Sequence, residues 1–230
     1  GKAAANEIFG NQASVLVGDF LFSRSFQLMV ADGSLETLKI LSDASAVIAE
    51  GEVMQLQMQR DLETSWSKYI EMIAAKTAAL FSAACEVGAV VSDADKNIQK
   101  AAYDYGYNLG IGFQIVDDVL DYCADQKKLG KEVGDDFREG KVSAPILLAY
   151  KKADKQEKDF WFRTITRADQ SKEDLAKAQD LLSKHNVIEE GLDIASQYIE
   201  KAQKALESLP QSDVKEHLHR VSAYVIHRIS

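Results

Sequence analysis

Three aspartates, Asp117, Asp118 and Asp121, interrupt the otherwise apolar run GFQIVDDVLDY, which holds no lysine or arginine. Like charges this close repel, and burying an unpaired carboxylate is costly. On a helix turning about 100° per residue, Asp117 and Asp121 lie roughly 40° apart, Asp118 flanks them, and Gln114 falls on the preceding turn. Phe113, Ile115, Val116, Val119 and Leu120 fill the remaining arc. The segment therefore reads as a central helix whose narrow acidic stripe faces a cavity. Oxygen-only ligands suit a hard divalent ion, magnesium before zinc, and magnesium shares its shell with water and substrate phosphates. Such a stripe binds a diphosphate through bridging metal. The bland alternative is a solvent-facing acidic patch at a helix end, and DDxxD by itself does not decide between the two.

Cations suited to an anionic ligand lie on either side in sequence. Downstream, Ala124 to Pro145 is polar, aperiodic and rich in glycine and lysine, as functional loops often are. Lys131 beside Gly130 and Lys141 beside Gly140 offer point charges to phosphate, and the glycines let the loop fold over a ligand. Asp135 and Asp136 add acids. A lone Gly-Lys pair reads as a surface turn; its place beside the stripe weakens that reading. Upstream, Lys76 and Thr77 sit mid-helix in IEMIAAKTAALFSAA. A lysine there either extends to the surface or meets an anion in a cavity. Glu50, Glu52 and Gln55 in EGEVMQLQ read as a solvated face. His185, His217, His219 and His227 read as solvated or core residues, since His217 and His219 are too close in sequence to share a helical face.

The scaffold for these groups is helical. Only 2 prolines and 13 glycines occur in 230 residues, which favours long helices. Helical period is predicted from Asn6, as a cap, to about Val30; from a Ser34 cap through Leu62, disturbed near Gly51; and from a Ser65 cap through Val91. It continues from 92–96 through Tyr122, then near 145–152, around KQEKDFWFRTIT, and over 171–185, 187–208 and 211–228. No strand pattern, internal repeat or linker is found. The fold class is all-α, a single domain over 1–230 with about eight helices or more.

Composition narrows the function classes. A net charge of −9 argues against nucleic acid as the main partner, because no basic excess meets its phosphates. A small phosphorylated ligand needs only a few local cations. Cys85 and Cys123 form no CxxC and no disulfide framework, so they read as small core residues in a reducing, cytoplasmic setting. No signal peptide and no unbroken apolar run of about 18 residues is found, so no transmembrane segment is expected.

Taken in order, GNQASVLVGDFLFSRSFQLM, AAKTAALF, GFQIVDDVLDY and KLGKEVGDDFREGKVSAPILLAY resemble the trans-isoprenyl (polyprenyl) diphosphate synthases, most closely the long-chain octaprenyl- or decaprenyl-like members. The resemblance covers essentially the whole chain. FQxxDDxxD followed by GKxxGxD is far more specific than DDxxD alone. It implies the isoprenoid synthase helical bundle around a central cavity, as a homodimer. It implies a prenyltransferase that condenses isopentenyl diphosphate head-to-tail with an allylic diphosphate, with Mg2+ as cofactor. By motif, Asp117, Asp118 and Asp121 match the second aspartate-rich motif, with Asp117 as a direct magnesium ligand and Asp121 acting through water. Asp136 matches a further outer-shell acid of that metal site. Gln114, Lys76 and Thr77 match contacts to the allylic diphosphate, Lys131 matches the lysine of a closing loop, and Lys141 is a weaker diphosphate contact.

One departure is large. In the family, a first aspartate-rich motif and an arginine pair precede the residues that match GKAAAN, and this chain begins at that glycine. The resemblance therefore implies an N-terminal truncation, such as a trypsin-like cut after the arginine pair. It implies loss of the residues that hold isopentenyl diphosphate and set product length, and a chain inactive alone. Other readings stay open. One is a non-catalytic helical subunit that partners a complete synthase. Another is a class I terpene cyclase, although those enzymes usually carry an Asn/Ser/Glu-type triad where this chain has DDVLD. A di-iron carboxylate bundle wants paired Glu-x-x-His motifs, and none occurs.

Overall fold

The first predicted helix is two helices. The computed structural model describes residues 4–123 and 133–228. Within it, α1 (Ala5–Phe9) and α2 (Asn11–Asp32) meet at Gly10, whose φ of 81° suits glycine. Asn6 lies inside α1, and Ala4 takes the N-cap position expected for it. Helix α3 (Leu35–Met58) starts where the Ser34 hydroxyl accepts the Thr37 N–H at 3.1 Å, and α4 (Trp66–Ile73) where Ser65 accepts that of Lys68 at 3.3 Å. Both serine caps were legible from sequence. Helix α3 runs through Gly51 without a break and ends at Met58, short of Leu62.

Ala74–Ala78 forms a π-helical turn between α4 and α5 (Ala79–Val90). Single π turns concentrate at functional sites, and this one carries Lys76 and Thr77. Helix α6 (Lys96–Cys123) is capped by Asp95, whose carboxylate accepts the N–H groups of Asn97 and Ile98 at 2.8 and 3.0 Å.

The region read as aperiodic through Pro145 contains a short helix, α7 (Asp135–Glu139), between Gly134 and Gly140. Helix α8 (Ala144–Lys152) follows, with proline in its first turn, where a missing N–H is harmless. A capping box at Asp154 and Glu157 opens α9 (Lys155–Trp161), which passes into a second π turn, Phe162–Thr166. Then come α10 (Asp174–Lys184), α11 (Val187–Ala205) and α12 (Asp213–His227). No strand occurs among the described residues, so the fold is all-α as expected.

Helix α6 is the central element. It packs on α5 at one side and on α11 at the other. Ile111, Ile115, Val116 and Val119 are fully buried, each worth about 1.5–3 kcal/mol of transfer free energy. Gly110 brings α6 against the π turn: a Cβ there would sit 2.6 Å from the Ala78 Cα. Of the two free cysteines, Cys85 is half-buried, whereas Cys123 is exposed and is not a core residue.

Helix α2 buries only Met29, while Val15, Leu16, Phe20, Leu21 and Phe22 stay exposed. By length and composition alone, Asn11–Asp32 and Trp66–Val90 are long and apolar enough to cross a membrane, a possibility the search for unbroken apolar runs did not register.

Candidate active site

The acidic stripe opens onto a cleft of about 690 Å³. Met58, Met72, Ile73 and Leu120 form an apolar floor, and Lys76, Gln114, Asp117, Asp118, Asp121, Asp136 and Lys141 line the polar part. The structure thus brings together the predicted residues of α6, the π turn and α7. Thr77 joins them through its hydroxyl, which donates to Gln114 Oε1 at 2.8 Å. Lys131 lies outside the described residues.

The three aspartates are held differently. Asp118 is buried and accepts three hydrogen bonds: from the Tyr69 hydroxyl at 2.7 Å, from Gln114 Nε2 at 2.8 Å and from the Ala144 N–H at 3.1 Å. Burial, and then the nearby charge of Asp136, push its pKa up to about 7 in spite of those donors. Burial also holds the Tyr69 hydroxyl well above its ordinary pKa, with Asp118 adding to the effect, so it stays a donor. Asp121 accepts the Asp136 N–H at 3.0 Å, and burial followed by the Asp136 charge raises its pKa to about 6. Asp117 has no such anchoring. Among the described residues, the cation paired with it is Arg228, at 3.9 Å.

Among the described residues, the cations of the cleft come from three parts of the chain. Lys76 Nζ donates to Gln55 Oε1 at 2.5 Å and to Glu52 Oε2 at 3.1 Å, both on α3. Glu52 and Gln55 are therefore not simply a solvated face. Lys141 Nζ sits 3.0 Å from Asp136 Oδ1 and 2.8 Å from Glu139. Burial works against its charge, but Glu139 and Asp136 outweigh it and raise its pKa. Arg228, just past α12, lies 4.9 Å over the Phe113 ring and lines the cleft.

Among the described residues, no group of three or more His, Cys, Asp or Glu side chains converges to hold a metal ion alone. The donor chemistry still fits magnesium. Burial first, and then the charge of Asp136, hold the pKa values of Asp118 and Asp121 up, and a bound cation would relieve both effects. Asp117 is open to the cleft, and magnesium takes the rest of its shell from water and phosphate oxygens.

Sequence reasoning missed Tyr69 and Arg228 and read Gln55 as part of a solvated face, whereas it accepts from Lys76. Their signals are weak: a tyrosine, a glutamine and an arginine on or beside amphipathic helices, each far along the chain from the group it meets. The predicted helical period of α6 does identify Asp118 as flanking the stripe, and its burial follows from α6 being enclosed on both sides.

Comparisons with known proteins bear on the family and the fold. A model of the polyprenyl synthetase family matches residues 1–182. Octaprenyl diphosphate synthase of Haemophilus influenzae is 42% identical over 218 residues, covering 95% of this chain and 66% of that protein. The Escherichia coli octaprenyl diphosphate synthase is 38% identical over 228 residues, covering 99% of this chain and 70% of that protein. This chain thus spans about two thirds of the length of these relatives. Among solved structures, a polyprenyl synthase from Caulobacter crescentus complexed with calcium and isoprenyl diphosphate is 46% identical, with a TM-score of 0.96 over 100% of this chain and 70% of its own. A decaprenyl diphosphate synthase from Rhodobacter capsulatus is 45% identical, with a TM-score of 0.94 over 100% of this chain and 71% of its own. With a family model over residues 1–182 and relatives matched along 95–99% of its length, the chain belongs to the polyprenyl synthetase family.

Proposed function

We propose that the full-length protein is a magnesium-dependent polyprenyl diphosphate synthase that adds isopentenyl diphosphate head-to-tail to an allylic diphosphate and makes a long-chain product. The observation that carries this reading is the convergence of Asp117, Asp118, Asp121, Lys76 and Gln114 on one cleft with an apolar floor. The octaprenyl and decaprenyl synthases among the similar proteins support the long-chain class. The neighbour complexed with calcium and isoprenyl diphosphate supports a divalent cation and a prenyl diphosphate as ligands.

On this reading Asp117 binds magnesium directly, Asp118 and Asp121 complete that side of the site, and Asp136 acts from outside it. Magnesium, when bound, neutralises the leaving diphosphate and favours cleavage of the allylic C–O bond. Lys76, Thr77 and Gln114 orient the diphosphate. Lys141, and Lys131 on its loop, add positive charge to the same group. Fixed dipoles such as the Gln114 amide stabilise the developing charge without reorganising. Met58, Met72, Ile73 and Leu120 keep water from the allylic carbon and admit the growing chain.

The same reading calls for another aspartate-rich motif, and DDVLD is the one DDxxD in these 230 residues, so turnover is proposed of the full-length protein. It also assigns the exposed apolar face of α2 to the contact between two subunits of a homodimer, rather than to a membrane. A cytoplasmic location accords with it. Asp117→Ala in the full-length enzyme is expected to abolish turnover with little loss of stability. Near-normal turnover in that variant would refute the metal-ligand role.

A further inference from the structure

Lys76 is held at two levels by a single turn of α3. At the level of the backbone, Gly51 faces the π turn so closely that a Cβ would lie 2.4 Å from the Lys76 N and 2.7 Å from its Cα. Nothing larger than hydrogen fits there without moving backbone. At the level of the side chain, Glu52 and Gln55 take two of the three N–H donors of the ammonium, at 3.1 and 2.5 Å. One donor remains. Lys76 and Gln55 both line the cleft, together with the stripe of α6.

We propose that Gly51, Glu52 and Gln55 are positioning residues for the reaction, a cradle that fixes the Lys76 ammonium with its remaining N–H directed to the diphosphate. A free lysine side chain carries rotamer entropy, which an anion must overcome when it binds. Anchoring the ammonium beforehand removes part of that cost. The π turn has the complementary role. Its extra residue lets Lys76 and Thr77 meet α3 and Gln114 of α6 respectively, two partners on different helices. Glu52 also balances the lysine charge while the cleft holds no anion.

The inference rests on the proposed role of Lys76 as a diphosphate contact, so its test separates the two. Affinity for magnesium pyrophosphate is measured by calorimetry on the full-length enzyme and on Gln55→Met, Lys76→Met, the double variant and Asp117→Ala. Circular dichroism and thermal melts on each confirm that the fold is kept. Loss of one anchoring hydrogen bond is expected to weaken binding about three- to tenfold in Gln55→Met. In the Lys76→Met background the Gln55 change is expected to add nothing, because there is no ammonium left to position. A merely structural role of Gln55 would lower stability and leave affinity unmoved, or would add its full effect in the double variant. Either result overturns the cradle, as does wild-type affinity in Lys76→Met. In those cases loss of binding in Asp117→Ala leaves the proposed function standing. Failure of the unaltered enzyme to bind magnesium pyrophosphate overturns both.

Discussion

Asp118 is a carboxyl whose charge the metal-free fold resists, and its replacement by asparagine makes that cost measurable. Burial and Asp136 raise its pKa from 3.8 to about 7. Between those values the folded chain binds a proton that the unfolded chain has released, so the contribution of Asp118 to stability falls as pH rises through the window. At about 1.4 kcal/mol per pH unit, the charged carboxylate costs the metal-free protein on the order of 4 kcal/mol at pH 8 relative to pH 4. In Asp118→Asn the new side chain keeps an acceptor for the Tyr69 hydroxyl and the Ala144 N–H. Its amide N–H would meet Gln114 Nε2, so the Gln114 amide must turn over and Thr77 must accept rather than donate. That rearrangement costs about 1 kcal/mol. The expectation is that Asp118→Asn is about 2–3 kcal/mol more stable than the unaltered protein at pH 8 and no more stable near pH 4. The assay is urea unfolding followed by circular dichroism, with chelator present, from pH 4 to pH 8. Every other carboxyl titrates in both proteins, so the difference reports Asp118 together with its coupling to Asp136. A stability difference that does not change with pH would refute the reasoning.

Other outcomes follow from particular contacts. Gly51→Ala places a Cβ 2.4 Å from backbone nitrogen that cannot give way, and a cost of about 2 kcal/mol is expected, seen as a fall of roughly 4–8 °C in thermal melting. Thr77→Val leaves Gln114 Oε1 without its donor; a loss of about 1–2 kcal/mol is expected in urea unfolding, with a higher KM for the allylic diphosphate. Glu157 has its pKa lowered to about 2, foremost by Lys184, against the effect of burial. Its stabilising contribution is present above its ordinary value of 4.5 and is lost as pH falls toward about 2, so Glu157→Gln and the unaltered protein should differ in stability near neutrality and converge in acid titration.

Much of this was legible because it is local. Ser34 and Ser65 cap the helices predicted to start at them, and the near-continuous apolar arc around Asp117 and Asp121 did mark a central helix. The misreadings share one physical cause. Gly51 looks like a helix breaker in α3 alone, and only the backbone of Lys76, brought up by another element, explains it. Glu52 and Gln55 look solvated until the same lysine arrives. The π turn at Ala74–Ala78 leaves no trace in helical period, since an extra residue within a run of alanines shifts nothing visible. The short helix α7 hid among glycines because its ends are left-handed at Gly134 and Gly140, and its place is set by contacts from afar: Asp121 Oδ2 to the Asp136 N–H and Gln59 Nε2 to the Glu139 carbonyl.

The central claim is that the cleft transfers prenyl groups from a metal-bound allylic diphosphate. Its most direct measurement incubates the full-length protein with magnesium, labelled isopentenyl diphosphate and an allylic primer, and sizes the labelled products. The account predicts prenyl diphosphates longer than the primer by whole isoprene units, absent with chelator and absent in Asp117→Ala. Hydrocarbon products without incorporated label, or elongation only when another complete synthase is added, would contradict it.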